Sequence, residues 1–139
     1  MPTAASVPPE PADARAEVCV IADGRLTRVP VVIQVGTGDT LYHGRRFREA
    51  FPDTLPYAAR QAWYVNAAAI NVKGRRLLPF GLDRVIQPHE LALLDSYRGV
   101  PVFVEAGALW PVEVVYALVR PGCEFRVYQD MSNYRRVRG

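Results

Sequence analysis

The chain has 139 residues, of which 50% are hydrophobic and 22% charged. That balance buries a real core and suits one domain, not two. No stretch approaches the roughly 20 apolar residues of a membrane-spanning helix, and two His with two Cys are too few for a standard Cys/His zinc site. The net charge of +3 is unevenly placed. Residues 1–17 carry Glu10, Asp13 and Glu17 against Arg15, and the last nine residues carry Arg135, Arg136 and Arg138. All the basic residues except Lys73 are arginine, the better bidentate partner for carboxylate and phosphate.

Residues 1–16 are rich in Pro and Ala, with Pro8, Pro9 and Pro11 close together and no apolar periodicity. This composition predicts an extended arm of polyproline character. Met1 is followed by Pro, Ala and Glu and not by an apolar run, so no secretory signal peptide is expected. That favours a cytoplasmic or membrane-peripheral protein, with the envelope as the other option.

From Glu17 to Asp130 the pattern is that of a single β-rich domain. Glu17–Ala22 is a strand ending at Asp23-Gly24, a two-residue hairpin signal. Leu26–Val35 follows, and Pro30 marks it as an edge strand or a bulged one. Gly36-Thr37-Gly38-Asp39 reads as a turn, since it lacks the Lys of a P-loop and no long helix follows. Thr40–His43 is a further short strand. Arg45–Phe51 reads as one or two helical turns stopped by Pro52. Trp63–Asn66, Ile70–Lys73 and Arg75–Phe80 read as strands, the last two joined at Lys73-Gly74.

Pro88–Leu94 reads as a small helix, with Pro in its first turn and Glu90 at its N-terminal end. Gly99–Ala106 and Val112–Val119 form a hairpin, and Cys123–Tyr128 is the last strand. The result is about eight short strands with closely spaced turns, a small β-barrel or sandwich with one or two short helices. The expected core is Val20, Val32, Ile33, Trp63, Val65, Ile70, Val72, Leu91, Leu94, Val102, Val104, Val114, Tyr116 and Phe125.

Chemistry-bearing residues are sparse. His43 and His89 lack neighbours at metal-ligand spacing. His89, Asp95 and Ser96 lack the nucleophile elbow a hydrolase needs. Glu105 and Glu113 alternate with apolar residues as solvated strand positions do. The expectation is therefore a non-catalytic chain with no cofactor, no metal and no small-molecule substrate. Arg45-Arg46-Arg48, Arg75-Arg76 and Tyr134-Arg135-Arg136-Val137-Arg138 are basic clusters with aromatic neighbours, but the near-neutral body weighs against nucleic acid as partner. Cys19 and Cys123 fall in the first and last predicted strands. A disulfide between them closes the domain end to end; two buried thiols are the alternative in a reducing cytosol.

Several motifs carry a resemblance: Gly38-Asp39-Thr40, Ala50-Phe51-Pro52, Trp63-Tyr64-Val65-Asn66, Gly74-Arg75-Arg76, Tyr97-Arg98-Gly99-Val100-Pro101-Val102-Phe103 and Arg120-Pro121-Gly122-Cys123-Glu124-Phe125. From about Val18 to Tyr128 the chain resembles an uncharacterised small β-rich domain of bacterial proteins. The resemblance implies a β module without catalytic motifs, of a kind found in envelope or exported proteins.

Together these features lead to one expectation: a structural or binding module, an accessory subunit that docks on a larger protein assembly, with a membrane-extrinsic position as one option. Its arms make the contact, through Pro8, Pro9 and Pro11 and through the basic tail 131–139 with Tyr134, Arg135, Arg136 and Arg138. The tail's charge also suits an anionic membrane surface. The rival readings are a free-standing disulfide-closed envelope domain and a small nucleic-acid-binding barrel.

Overall fold

The computed structural model describes residues 13–54 and 56–131. It is mainly β, with ten strands in two antiparallel sheets, one of them a half-barrel, and two short helices. The smaller sheet runs in the order β1 (Ala14–Ala22), β2 (Arg25–Ile33), β3 (Thr40–Tyr42), β4 (Arg45–Arg46). The larger has the order β5 (Ile70–Val72), β6 (Arg75–Val85), β10 (Glu124–Gln129), β9 (Val114–Arg120), β8 (Val100–Glu105), β7 (Leu91–Tyr97). The helices α1 (Phe47–Ala50) and α2 (Ala62–Val65) are single turns.

Tight turns set the register. Asp23-Gly24, His43-Gly44, Lys73-Gly74 and Arg98-Gly99 each place both residues at positive φ, the backbone that matches the twist of a two-residue hairpin. The glycine-rich segment 36–39 is a closed turn, with Gly38 N donating to Gln34 O at 2.7 Å and Gln34 N to Asp39 O at 2.8 Å. Pro30 sits in unbroken register opposite Glu17. β3 pairs only with Val32 and Ile33, so Pro30 lies where β2 is an edge, the place a residue without an N–H is tolerated.

β8 and β9 are buried along almost their whole length, Val100–Val104 and Val115–Val119. Such unbroken apolar runs require both faces of the sheet to be covered. One face carries Val102, Val104, Val115, Ala117 and Val119 against Trp63, Ile70 and Val72. The other carries Phe103, Tyr116, Leu118 and Phe125 against Cys19, Ile21 and Leu26 of the β1–β2 hairpin. The far side of that hairpin packs Val18, Val20, Val29 and Val31 against Phe47 and Phe51. The molecule is therefore layered: α1, the hairpin, the half-barrel, then α2 with β5.

Several expectations change. β1 begins at Ala14, inside the stretch read as an arm, because Ala14–Ala16 pair with Val31–Ile33. Trp63–Asn66 is not a strand. An extended chain points Trp63 and Val65 to one face, whereas a helical turn separates them, leaving Trp63 6% and Val65 66% exposed. Pro88–Leu94 is not a helix. Pro88–Glu90 is a 3-10 turn closed by Gln87 N donating to Glu90 Oε2 at 2.9 Å. Leu91 then enters β7 opposite Glu105, because pairing with β8 outweighs a weak helical pattern. Of the expected core, Val20, Trp63, Ile70, Val72, Leu91, Val102, Val104, Tyr116 and Phe125 are buried; Ile33 and Val65 are exposed, and Val32, Leu94 and Val114 lie between.

Trp63 meets Tyr97 edge-on at 5.1 Å and Tyr128 at 6.0 Å between ring centroids. Replacing it by Ala removes that packing and opens a cavity, at a cost of about 3–5 kcal/mol. Val65→Ala, on the exposed side of the same turn, should stay within about 0.5 kcal/mol. Urea unfolding of the two variants measures both; equal midpoints would disprove the orientation of α2.

Candidate functional site

The junction of the two sheets is the best-built region of the molecule. No strand of one sheet is hydrogen-bonded into the other. In β1, the residues on either side of the Asp23-Gly24 turn pair across it, Ala22 with Arg25. By alternation Val18, Val20 and Ala22 turn their backbone groups toward β2, and Cys19 and Ile21 turn theirs outward. Both outward donors are taken. Cys19 N donates to Pro121 O at 2.8 Å, and Ile21 N donates to the buried Thr54 Oγ1. The Cys19 carbonyl accepts from Tyr57 Oη at 3.1 Å. Burial pushes the Tyr57 hydroxyl well above its ordinary pKa.

At the same point a disulfide joins Cys19 to Cys123, with both residues fully buried and their Cα atoms 5.0 Å apart. Cys123 precedes β10 in the β9–β10 turn, at positive φ. The bridge therefore does not form by pairing of first and last strands: β10 pairs with β6 and β9, and β1 reaches it through the turn.

A second cluster lies where β6, β9, β10 and α2 meet. Asp83 accepts from Arg126 Nε at 2.5 Å, from Arg120 Nη1 at 3.1 Å and from the Tyr64 hydroxyl. Arg126 also stacks over the Tyr64 ring at 4.6 Å. Partial desolvation pushes the Asp83 carboxyl up. The hydrogen bonds from Tyr64 and Arg126, the Arg126 charge and the Arg120 hydrogen bond outweigh it and hold the pKa below the ordinary carboxylate value. Tyr64 is raised, first by desolvation and then by its bond to Asp83. The register of β6 on β10 slips between Phe125 and Val127. Gly81, at φ +77, supplies the bend.

Between these two features runs a groove. Two adjoining cavities of about 510 and 740 Å³ share Thr40, Arg48, Tyr57 and Pro121. Arg46 and Arg48 come from the β4–α1 segment, Arg60 from the chain that straps β1, and Arg120 from the end of β9. All four are exposed. Asp39 is the one acidic residue among the described residues that line it. The short floor of Pro56, Ala59, Val119 and Pro121 is apolar.

The residues read from the sequence as candidates distribute as follows. Pro8, Pro9, Pro11, Tyr134, Arg135, Arg136 and Arg138 lie outside the described residues. His43 is exposed in the β3–β4 turn, edge-on to Tyr42 at 4.2 Å, and His89 is exposed in the 3-10 turn. Glu105 accepts from Tyr116 Oη at 3.2 Å. Among the described residues no group of three or more His, Cys, Asp or Glu is placed to hold a metal ion. Asp83, Tyr64 and Arg126 did not stand out in the sequence. They come together only through the bulge and the helical turn of α2. No protein-family model, curated protein or solved structure matches the chain.

Two consequences follow for stability. The bridge closes a loop across a separation of 104 residues, for which chain entropy gives about 4.7 kcal/mol. Cys19→Ala with Cys123→Ala should lose about 2–5 kcal/mol, and reductant should then have no further effect in denaturant titrations. Asp83→Asn should be destabilising at neutral pH. Because the folded carboxyl sits below its unfolded value, its contribution is full above about pH 5 and fades as pH falls through the unfolded and then the folded pKa. The difference between wild type and variant should shrink from pH 5 to pH 2, and a constant difference would assign the loss to packing.

Proposed function

We propose that this protein is a non-catalytic docking module, an accessory subunit of a larger protein assembly, stabilised for an oxidising compartment. The observation that carries the reading is the Cys19–Cys123 bridge at the sheet junction. Small domains in oxidising compartments use such bridges to supplement a modest core, and cytosolic chains rarely keep them. The bridge favours an envelope or extracytoplasmic setting over the cytoplasmic one that the amino-terminal sequence pointed to. It also agrees with the envelope or exported setting that the resemblance to a small β-rich bacterial domain implied.

The arms complete the reading. A Pro-rich segment and a tail carrying Tyr134, Arg135, Arg136 and Arg138 flank a rigid body. Pro-rich and Arg/Tyr-rich segments of this composition add contact area on a partner. The tail's charge also suits an anionic membrane face next to the assembly.

Purification from the native source under mild conditions tests both halves. The protein should arrive with a defined assembly and with a mass two hydrogens below that of its reduced form. Deleting residues 1–12 and 132–139 should leave the body folded, since the strands begin at Ala14 and end at Gln129, and should abolish co-purification. Arg135, Arg136 and Arg138 changed together to Gln should weaken binding and flatten its salt dependence. Full occupancy of the assembly by the truncated body would overturn docking through the arms, and a fully reduced native protein would overturn the compartment.

A further inference from the structure

We infer that the arginine groove at the sheet junction binds an extended acidic peptide segment, through the carboxylates of Asp or Glu side chains. The inference rests on the docking reading above and assigns one partner chemistry to a surface on the body.

Three observations converge on it. The first is charge. Arg46, Arg48 and Arg60 enter the groove and make no ion pair among the described residues. Elsewhere Arg75 pairs with Asp130, Arg126 with Asp83 and Arg28 with Glu17, while several other arginines, Arg25 and Arg84 among them, are likewise without an ion pair among the described residues. Arg120 adds a fourth positive group whose position is held by Asp83. With Asp39 as the only acidic lining residue among those described, the groove concentrates positive potential on a nearly neutral body.

The second is rigidity. The walls come from both sheets, and the disulfide with the Cys19 N–Pro121 O bond holds those sheets together beside the groove. A preformed groove avoids part of the ordering cost of binding.

The third is the floor. Single-stranded nucleic acid is held by basic grooves whose exposed aromatic faces stack the bases. Here the aromatic lining is Phe47, which is buried, and Tyr57, whose hydroxyl is tied to the Cys19 carbonyl. Pro56, Ala59 and Pro121 offer small aliphatic contacts instead. These suit a peptide backbone, while guanidinium forks match carboxylates in bidentate geometry.

The test is fluorescence anisotropy on the full-length oxidised protein at 20 mM and 150 mM salt. The probes are a labelled decamer of alternating Glu and Ala and a labelled decamer of deoxythymidine. The wild type should bind the peptide at 20 mM salt, with affinity falling at 150 mM. Arg48→Gln with Arg60→Gln should weaken binding at least tenfold, and Arg25→Gln, at the hairpin tip outside the groove, should not. Circular dichroism on each variant checks that the body is folded. Absence of peptide binding at 20 mM salt, or equal loss in the Arg25→Gln control, would overturn the inference. So would tighter binding of the oligonucleotide with the same dependence on Arg48 and Arg60. The same double variant in the native co-purification separates the two readings. If it still joins the assembly while the arm-deleted protein does not, docking through the arms stands and the groove is not the contact.

Discussion

The structure depends on a single seam. The β1–β2 hairpin and the half-barrel are separate sheets with no shared ladder, so nothing in their backbone pairing fixes one against the other. The Cys19–Cys123 bond, the Cys19 N–Pro121 O hydrogen bond and the apolar layer of Ile21, Leu26, Phe103, Leu118 and Phe125 do so together. The covalent bond limits how far the sheets can part, and the layer gains from their contact by removing apolar surface from water. Each makes the other more effective. The layer keeps the two thiol carbons within bonding reach, and the bond reduces the freedom lost when the layer forms.

The seam also solves the problem of an exposed strand edge. An outer strand offers unpaired N–H and C=O groups to any neighbouring chain. On β1 the Cys19 N–H, the Cys19 carbonyl and the Ile21 N–H are consumed by Pro121, Tyr57 and Thr54 respectively. Thr54 and Tyr57, in the stretch Asp53–Gln61 that reads from sequence as a loop or a short helix, thus act as a strap that satisfies part of an edge. The same strap contributes Arg60 and Tyr57 to the groove. Closing the edge and lining the groove are done by the same few residues.

Much of this architecture was legible in the sequence, for reasons that differ by element. The hairpins were visible because Asp23-Gly24 and Lys73-Gly74 carry the backbone requirement of a two-residue turn in their residue types. β8 and β9, which pair antiparallel, were visible as the two arms of a hairpin. That both their faces are covered was not, since coverage comes from distant segments around Trp63 and Cys19. The misread pieces, 63–66 and 88–94, are short, and in pieces that short tertiary pairing overrides local preference. The cluster of Asp83, Tyr64, Arg120 and Arg126 had no sequence signal, because its members are spread over three strands and a helical turn, and the Gly81 bulge aligns them. The two cysteines were visible as candidates for a bridge, but the route between them, through a turn and not through paired strands, was not.

The exposed apolar residues of β6 fit the same logic. Phe80 is 60% and Leu82 87% exposed, and β5 pairs with β6 only over Arg75–Leu77. Beyond that point the outer edge of β6 has no paired strand among the described residues. Yet this edge is a poor template for strand addition. Pro79 has no N–H to offer, and the bulge at Gly81 interrupts the regular spacing of the remaining groups. Proline and bulges are the devices by which natural sheets discourage edge pairing. With the β1 edge satisfied at Cys19 and Ile21 and the free edge of β6 interrupted at Pro79 and Gly81, backbone-templated association is discouraged along both segments. Any contact at these edges then falls to side chains and not to a shared ladder.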